Sequence, residues 1–363
     1  MSALAAPTAS RLGDRAIGFL WSCVSSPANV ALTLVLALVA VYWLPSLVEW
    51  ALVAAQWSGA RAACEGADGA CWTFIRARWP QIIYGAYPEP ERWRVNILFG
   101  LVLAAGALLL SRRVRLKGLI GLVLIIAAPP ATAVLLLGGA GGLTYVPAAK
   151  WGGLMLTVAL GGISLAGSLP LGLILALGRR SDLPVIRGAA VGLIEILRGI
   201  PLVPLLFLAM SVLPLLLPPG TDVSPLMRVV VAFILFNGAA MAEVFRGGLQ
   251  AIPKGQFEAA RSLGLSGPKT MALVILPQAI AIVTPGLLNV AVAIVKETTV
   301  VLIIGLYDFF NEILAGLADP QWLASGRAAL DTGYFFAGLV YWAVCFGLSR
   351  VSARLELAKE RRG

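Results

Sequence analysis

The 363-residue chain contains no histidine. A metal centre of mixed cysteine and histidine ligands therefore cannot be built, and no imidazole is present to act as a general base. Charge is also scarce: 13% of residues are Asp, Glu, Lys or Arg, 59% are hydrophobic, and the mean hydropathy is +0.89. A soluble domain needs more polar surface than this composition supplies. Carboxylates show no metal-site clustering and no segment is long enough for a sizeable soluble domain, so a membrane enzyme or scaffold finds little support. Of four cysteines, Cys64 and Cys71 share one polar segment, whereas Cys23 and Cys345 sit at or inside apolar runs. An oxidising compartment would permit a disulfide between the first two, and their spacing alone leaves that open.

What the chain does have is long uncharged runs. A bilayer core of roughly 30 Å requires about 20 apolar residues per crossing helix. Eight runs of that order lie near 29–50, 95–111, 118–138, 151–178, 199–217, 227–245, 279–304 and 333–351. The expectation is an all-α, polytopic integral membrane protein. The first run is too long for a secretory signal, follows the polar segment 1–28 and lacks a convincing cleavage site before Trp43 and Trp50, so it is read as retained.

A net charge of +10 would suit nucleic acid, but the basic residues sit in short clusters between the apolar runs. The positive-inside rule places such clusters in the cytoplasm. Alternating eight spans from a cytoplasmic N-terminus collects Arg11, Arg15, Arg112, Arg113, Arg115, Lys117, Arg179, Arg180, Arg187, Arg198, Arg246, Lys254, Arg261, Lys269, Arg350, Arg354, Lys359, Arg361 and Arg362 on one side. That is 19 of 28. Both termini are thereby expected inside, with no nucleic-acid partner and with lipid as the solvent.

The first three runs enclose an expected outer loop, 51–94, that holds Trp57, Trp72, Trp79 and Trp93 and places cations such as Arg94 outside. Indoles favour the headgroup level, so membrane anchoring is the expected role of these residues. Pro129 and Pro130 remove two donors and are expected to kink or break the third helix. After the glycine-rich stretch 138–142 a second block begins. The expected organisation is a cytoplasmic segment 1–28, a three-helix extension 29–140, a core 150–350 and a tail 351–363. Within the core, Gly152, Gly153, Gly161, Gly162, Gly167 and Gly172 would let helices approach closely. Residues 184–200 read as a short helix leading into the span near Pro201, able to lie along the inner surface.

The most informative segment is the loop 246–277. Pro253 can start a short helix bearing Phe257, Ala260, Arg261 and Leu263, and Gly264, Gly267 and Pro268 force a turn before a second helix. A helix-turn-helix poor in large apolar side chains suits a groove on a soluble partner, with Ala259 and Ala260 permitting close approach. The stretch 264–270, GLSGPKT, superficially resembles a P-loop, but Pro268 separates Gly267 from Lys269 and no strand precedes it. Nucleotide is therefore not bound by that motif.

Glu258-Ala259-Ala260, then three residues, Gly264, nine residues, Val274, one residue and Leu276-Pro277 resembles the EAA motif of ABC importer permeases, with Val in place of Ile at 274. That resemblance implies a five-helix type I permease core, a loop that docks on an ATPase subunit dimer, and ATP and Mg held by that partner with no cofactor on this chain. Further segments are similar to the polar amino-acid branch: WGGLMLT from Trp151, EILRGIPL from Glu195, AEVFRGGL from Ala242 and KETTV from Lys296. The extra N-terminal part is similar to the longer permease of general L-amino-acid importers. The resemblance thus implies a second, similar permease chain, a periplasmic amino-acid-binding protein and a Gram-negative inner membrane.

A zwitterionic substrate would need polar partners inside the membrane. Lys296, Glu297, Thr298 and Thr299 are candidates, although Lys296 and Glu297 could equally neutralise each other or reach the interface by snorkelling. Glu195 with Arg198, and Glu243 with Arg246, have the (i, i+3) spacing of intrahelical ion pairs, structural by default and gating as the sharper reading. The competing overall reading is an ATP-independent secondary transporter or channel, which should show internal repeats. None is visible between residues 1–140 and 150–350.

Overall fold

The protein is described by a computed structural model covering residues 21–360 apart from 22, 112, 115, 219, 222 and 324, with side chains as far as Ala353. Arg11, Arg15, Arg112, Arg115, Arg354, Lys359, Arg361 and Arg362, with most of segments 1–28 and 351–363, lie outside that description. Among the described residues every regular element is helical, and two isolated bridges, Gln56 with Cys71 and Gly153 with Asp308, are the extent of β pairing. In chain order the α-helices are α1 (Pro27–Val48), α2 (Trp72–Tyr84), α3 (Arg92–Leu110), α4 (Lys117–Leu137), α5 (Gly153–Gly178), α6 (Pro184–Gly199) and α7 (Leu202–Ser211). They continue with α8 (Pro225–Gln250), α9 (Lys254–Ser262), α10 (Gly267–Thr270), α11 (Leu276–Glu297), α12 (Phe309–Leu317), α13 (Pro320–Leu323) and α14 (Gly326–Glu360).

Among the described residues seven stretches are long and apolar enough to cross a membrane, and an eighth is obtained if α6 and α7, bent by 109°, are counted as one broken span. The expected fifth span, 199–217, is therefore corrected. Pro201 pushes Ile200 into an extended conformation (φ −98°, ψ 126°), and the α-helix that follows has 10 residues before a 3₁₀ turn at Leu213–Leu216. Ten residues rise roughly 15 Å, half a bilayer core. Pro129 and Pro130 do not break α4, which runs unbroken over 21 residues. A proline removes one intrahelical bond, and the flanking bonds of a long apolar helix keep it continuous in a solvent that offers its backbone no other partner.

The chain forms two compact units: the described residues up to Arg76 with Pro320–Thr332, and Ala77–Asp319 with Gly333 onward. In the first, the head of the 51–94 segment is folded around the disulfide Cys64–Cys71, which the sequence had left open. The Trp72 indole donates to the Ala51 carbonyl (2.8 Å) and stacks on Trp57 (5.4 Å between centroids), and the Cys71 amide donates to Thr332 Oγ1 (2.7 Å). No residue of α1 is buried, as befits a helix whose surroundings are lipid.

The core of the second unit is α5 packed along α8, the most extensive helix pair, with α11 against α8. Between lipid-embedded helices there is no hydrophobic drive to associate, so packing distance matters. A Cβ on Gly172 would stand 2.6 Å from the Cβ of Met241 and 3.0 Å from the Gly238 carbonyl oxygen, so only glycine allows this approach. Gly167 faces Ile234 in the same way, whereas Gly162 meets nothing within 4 Å and Gly161 only Ile294 at 3.9 Å. The expected close packing thus holds for part of the glycine set. Arg94, read as an outer-loop cation, is 1% exposed, pairing with Glu91 at 2.6 Å and donating to the Thr144 carbonyl at 2.8 Å.

Candidate functional site

The loop between α8 and α11 folds as helix, turn, helix. Pro253 precedes α9, where a missing amide costs nothing. Gly264, at φ +76°, ends it: its amide donates to the Arg261 carbonyl (2.9 Å) and the Leu265 amide to the Ala260 carbonyl (3.2 Å). This is the Schellman pattern, which an L side chain at 264 would strain. The chain then passes through α10 and a π segment, Met271–Ile275, into α11. Gln278 ties the two arms together, its amide donating to the Val274 carbonyl (2.8 Å) and to Gln256 Oε1 (3.1 Å).

Of the motif residues, Glu258, Ala259, Gly264 and Pro277 are exposed, while Val274 and Leu276 are half-buried against the apolar cluster that contains Ile275 and Leu249. Ala260 is 3% exposed. It packs within the loop itself, so the expectation that both alanines permit close approach of a partner is corrected: Ala259 is exposed and Ala260 is not. A helix that buries one side for its own support leaves about half its circumference free, and Glu258 and Ala259 lie there.

Three helices meet above this loop in an ion-pair network. Glu243 on α8 accepts from Arg246 Nε (2.7 Å) and Arg179 Nη1 (2.6 Å), and Arg198 on α6 stands 3.8 Å away. The expected pair of Glu243 with Arg246 therefore forms. The pair of Glu195 with Arg198 does not: Glu195 points to Arg179 at 3.6 Å and Arg198 to Glu243. Intrahelical spacing only permits a pair, and a tertiary partner on a neighbouring helix competes for the same guanidinium. Arg179, just past the end of α5, is the hub that sequence spacing could not reveal.

At the other end of α11 the four residues Lys296 to Thr299 separate. Lys296 is exposed and joins no ion pair among the described residues, so a direct contact with Glu297 is not formed and the exposed position suits the snorkelling alternative. Glu297 is half-buried and accepts from Asn237 Nδ2 of α8 at 3.0 Å. Thr298 is fully buried and donates to Asp308 Oδ2 (2.9 Å), a structural position without access to solute. Thr299 Oγ1 donates to the Lys296 carbonyl at 2.9 Å.

Asp308 is the residue that sequence reasoning missed. Its Oδ2 accepts from Thr298, from Tyr341 Oη (3.1 Å) and from Thr157 Oγ1 (3.5 Å), and its Oδ1 from the Asn311 amide (3.1 Å) and side chain (2.7 Å). One carboxylate thereby joins α5, α12, α14 and the end of α11. Burial pushes its carboxyl above the usual range, while hydrogen bonds from Asn311, Thr298, Tyr341 and Thr157 pull it back. Nearby, burial also raises Glu312, which accepts from Gln81 at 2.9 Å. The signal available in the sequence was Asp308 standing just before the apolar run of α12 as an N-cap. Asn237, a lone amide in an apolar run, was the other.

Among the described residues, helices with seven or eight apolar stretches of crossing length and a folded loop bearing Glu258 and Ala259 define a multi-pass membrane protein. It belongs to the family of binding-protein-dependent transport system inner membrane components, which matches residues 168–360. It is 44% identical to the inner membrane amino-acid ABC transporter permease protein YhdY of Escherichia coli (strain K12), over 86% of this chain and 84% of that protein. It is 33% identical to the glutamate/glutamine/aspartate/asparagine transport system permease protein BztC of Rhodobacter capsulatus, over 93% of this chain and 92% of that one. A chain of a solved amino acid ABC transporter, crystallised with histidines, is similar at 29% identity and a TM-score of 0.49, covering 57% of this chain and 91% of that one.

Proposed function

We propose that this chain is the membrane permease of an ATP-driven importer of L-amino acids, with the loop 253–277 as its coupling element. Both full-length relatives are named for amino-acid transport, which supports the substrate class. The observation that carries the coupling assignment is the exposed Glu258–Ala259 face of α9, held by a glycine turn and by the apolar anchors of α11. A rigid helix standing out from two membrane helices transmits a push from a soluble partner to both.

The partners of this reading are an ABC ATPase dimer, which holds ATP and Mg, a second similar permease chain, and a periplasmic binding protein. The basic clusters between spans support a cytoplasmic side for the coupling loop and both termini, and a Gram-negative inner membrane is the location this reading implies. The extension 29–140 then precedes a permease core at 150–350. Glu297, held by Asn237, the half-buried Thr299 and the exposed Lys296 are the substrate-pathway candidates that keep access to solute.

The test is co-purification of the chain with its ATPase in detergent, comparing the parent with Glu258→Lys and Gly264→Pro while substrate-stimulated ATP hydrolysis is followed. Release or uncoupling of the ATPase by both changes is expected. No association even with the parent would sink the ABC reading and return the ATP-independent transporter. For the pathway, Glu297→Gln is expected to lower uptake while thermal unfolding stays unchanged.

A further inference from the structure

A pocket of about 420 Å³ opens where α5 and α8 end beside α9. Its rim carries Arg179, Arg180, Arg246 and Lys254, its floor includes Leu249 and Phe257, and no lining residue is acidic. Arg179 and Arg246 already share Glu243. Arg180 and Lys254 have no carboxylate partner among the described ion pairs, and both are exposed.

The guanidinium of Arg180 is nevertheless held. Its Nη1 donates to the Leu249 carbonyl at 3.3 Å and its plane lies 5.7 Å from the Phe257 ring, so it is directed at the pocket with donors to spare. The carbonyl ends of α5 and α8 contribute partial negative charge here. Two arginines bound to one glutamate offset that, and the two remaining cations give the pocket a net positive field over an apolar floor.

We infer that this pocket is a binding site for a phosphate monoester or diester group, with an anionic phospholipid headgroup as the source that its position and apolar floor favour. Clustered Lys and Arg side chains between membrane helices at the cytoplasmic boundary recognise such headgroups, and a planar guanidinium can grip two phosphate oxygens at once. The inference rests on the orientation given under the proposed function. Because the pocket adjoins the coupling helix through Lys254 and Phe257, occupancy would stiffen the joint between α5 and α9.

The experiment uses the transporter purified with its partner chains. In phosphatidylcholine nanodiscs containing a minor fraction of phosphatidylglycerol, native mass spectrometry counts the lipids retained. The parent is expected to retain phosphatidylglycerol selectively, and the double change Arg180→Gln with Lys254→Gln to reduce that retention about thirtyfold, on the scale of roughly 1 kcal/mol for each of two basic side chains near the surface. Arg180→Lys should restore part of it, and Arg113→Gln, outside the pocket, should leave it intact.

A second arm follows amine labelling of Lys254 in detergent with and without inorganic phosphate. Protection by phosphate without lipid selectivity would keep the site and assign it to a soluble phosphate. Absence of both selective retention and protection overturns the inference and leaves the pocket as a protein contact. ATPase association, which tests the coupling loop, is a separate readout and can succeed whichever way this one falls.

Discussion

Two carboxylates organise this molecule in opposite ways. Asp308 is buried and receives five hydrogen bonds from neutral groups: two hydroxyls of threonine, one of tyrosine, and the amide and side chain of Asn311. Glu243, with a side chain 17% exposed, receives only charged partners, three arginines at 2.6, 2.7 and 3.8 Å from three places in the chain. The first arrangement has directional, neutral donors, three of which also reach backbone carbonyls, Val295 for Thr298, Gly153 for Thr157 and Thr299 for Asn311. Its carboxylate is saturated, so it ties the helices it joins at several points. In the second, the arginines have alternatives, Glu195 for Arg179 and Gln250 Oε1 for Arg246 at 3.0 Å, and water can replace any of them at small cost. The lesson is that charge alone does not make a joint rigid; burial and saturation do.

That contrast can be broken most severely at Asp308. Asp308→Ala leaves the Tyr341 hydroxyl and the Asn311 amide without their acceptor and removes the shared partner of Thr157 and Thr298, and should destabilise the purified protein by about 2 to 4 kcal/mol, read as a lowered thermal midpoint in detergent. Glu243→Gln removes the shared anion from three guanidinium groups. It should cost less, about 1 to 3 kcal/mol because the site is partly hydrated, and should impair transport more than assembly. Equal loss of stability at both positions would erase the distinction drawn here.

A third change sharpens it within the loop. Gly264→Ala forces an L side chain into the left-handed region and should cost about 1 kcal/mol, weakening ATPase association without releasing it, as measured by pull-down at increasing salt. The smallest effect is expected at Glu195→Gln. Its pair with Arg179 is long and exposed, so stability should change by less than about 0.5 kcal/mol in the same melt. A large effect there would mean that Arg179 depends on Glu195 rather than Glu243.

The crossings, the loop and its turn were legible because each depends on local information. An apolar run of span length has only one way to satisfy its backbone in lipid, and Gly264 with Pro268 breaks a helix wherever it is placed. The fifth span differed for a local reason too: counting uncharged residues gave no weight to Pro214, and with Pro201 at its start the stretch 199–217 holds a 10-residue helix and a 3₁₀ turn rather than one continuous helix.

The sequence by itself determined that lipid surrounds this chain, where most helices begin and end, and which loop stands out for a partner, since hydropathy, proline and glycine act within a turn or two of themselves. Only the tertiary structure decided that Arg179 serves Glu243, that Ala260 turns inward, that Cys64 and Cys71 are bonded, and that Asp308 gathers Thr157, Thr298 and Tyr341. Those pairings span up to 151 residues. Side-chain chemistry supplies many permissible partners at such separations, and the packed helices leave one within reach.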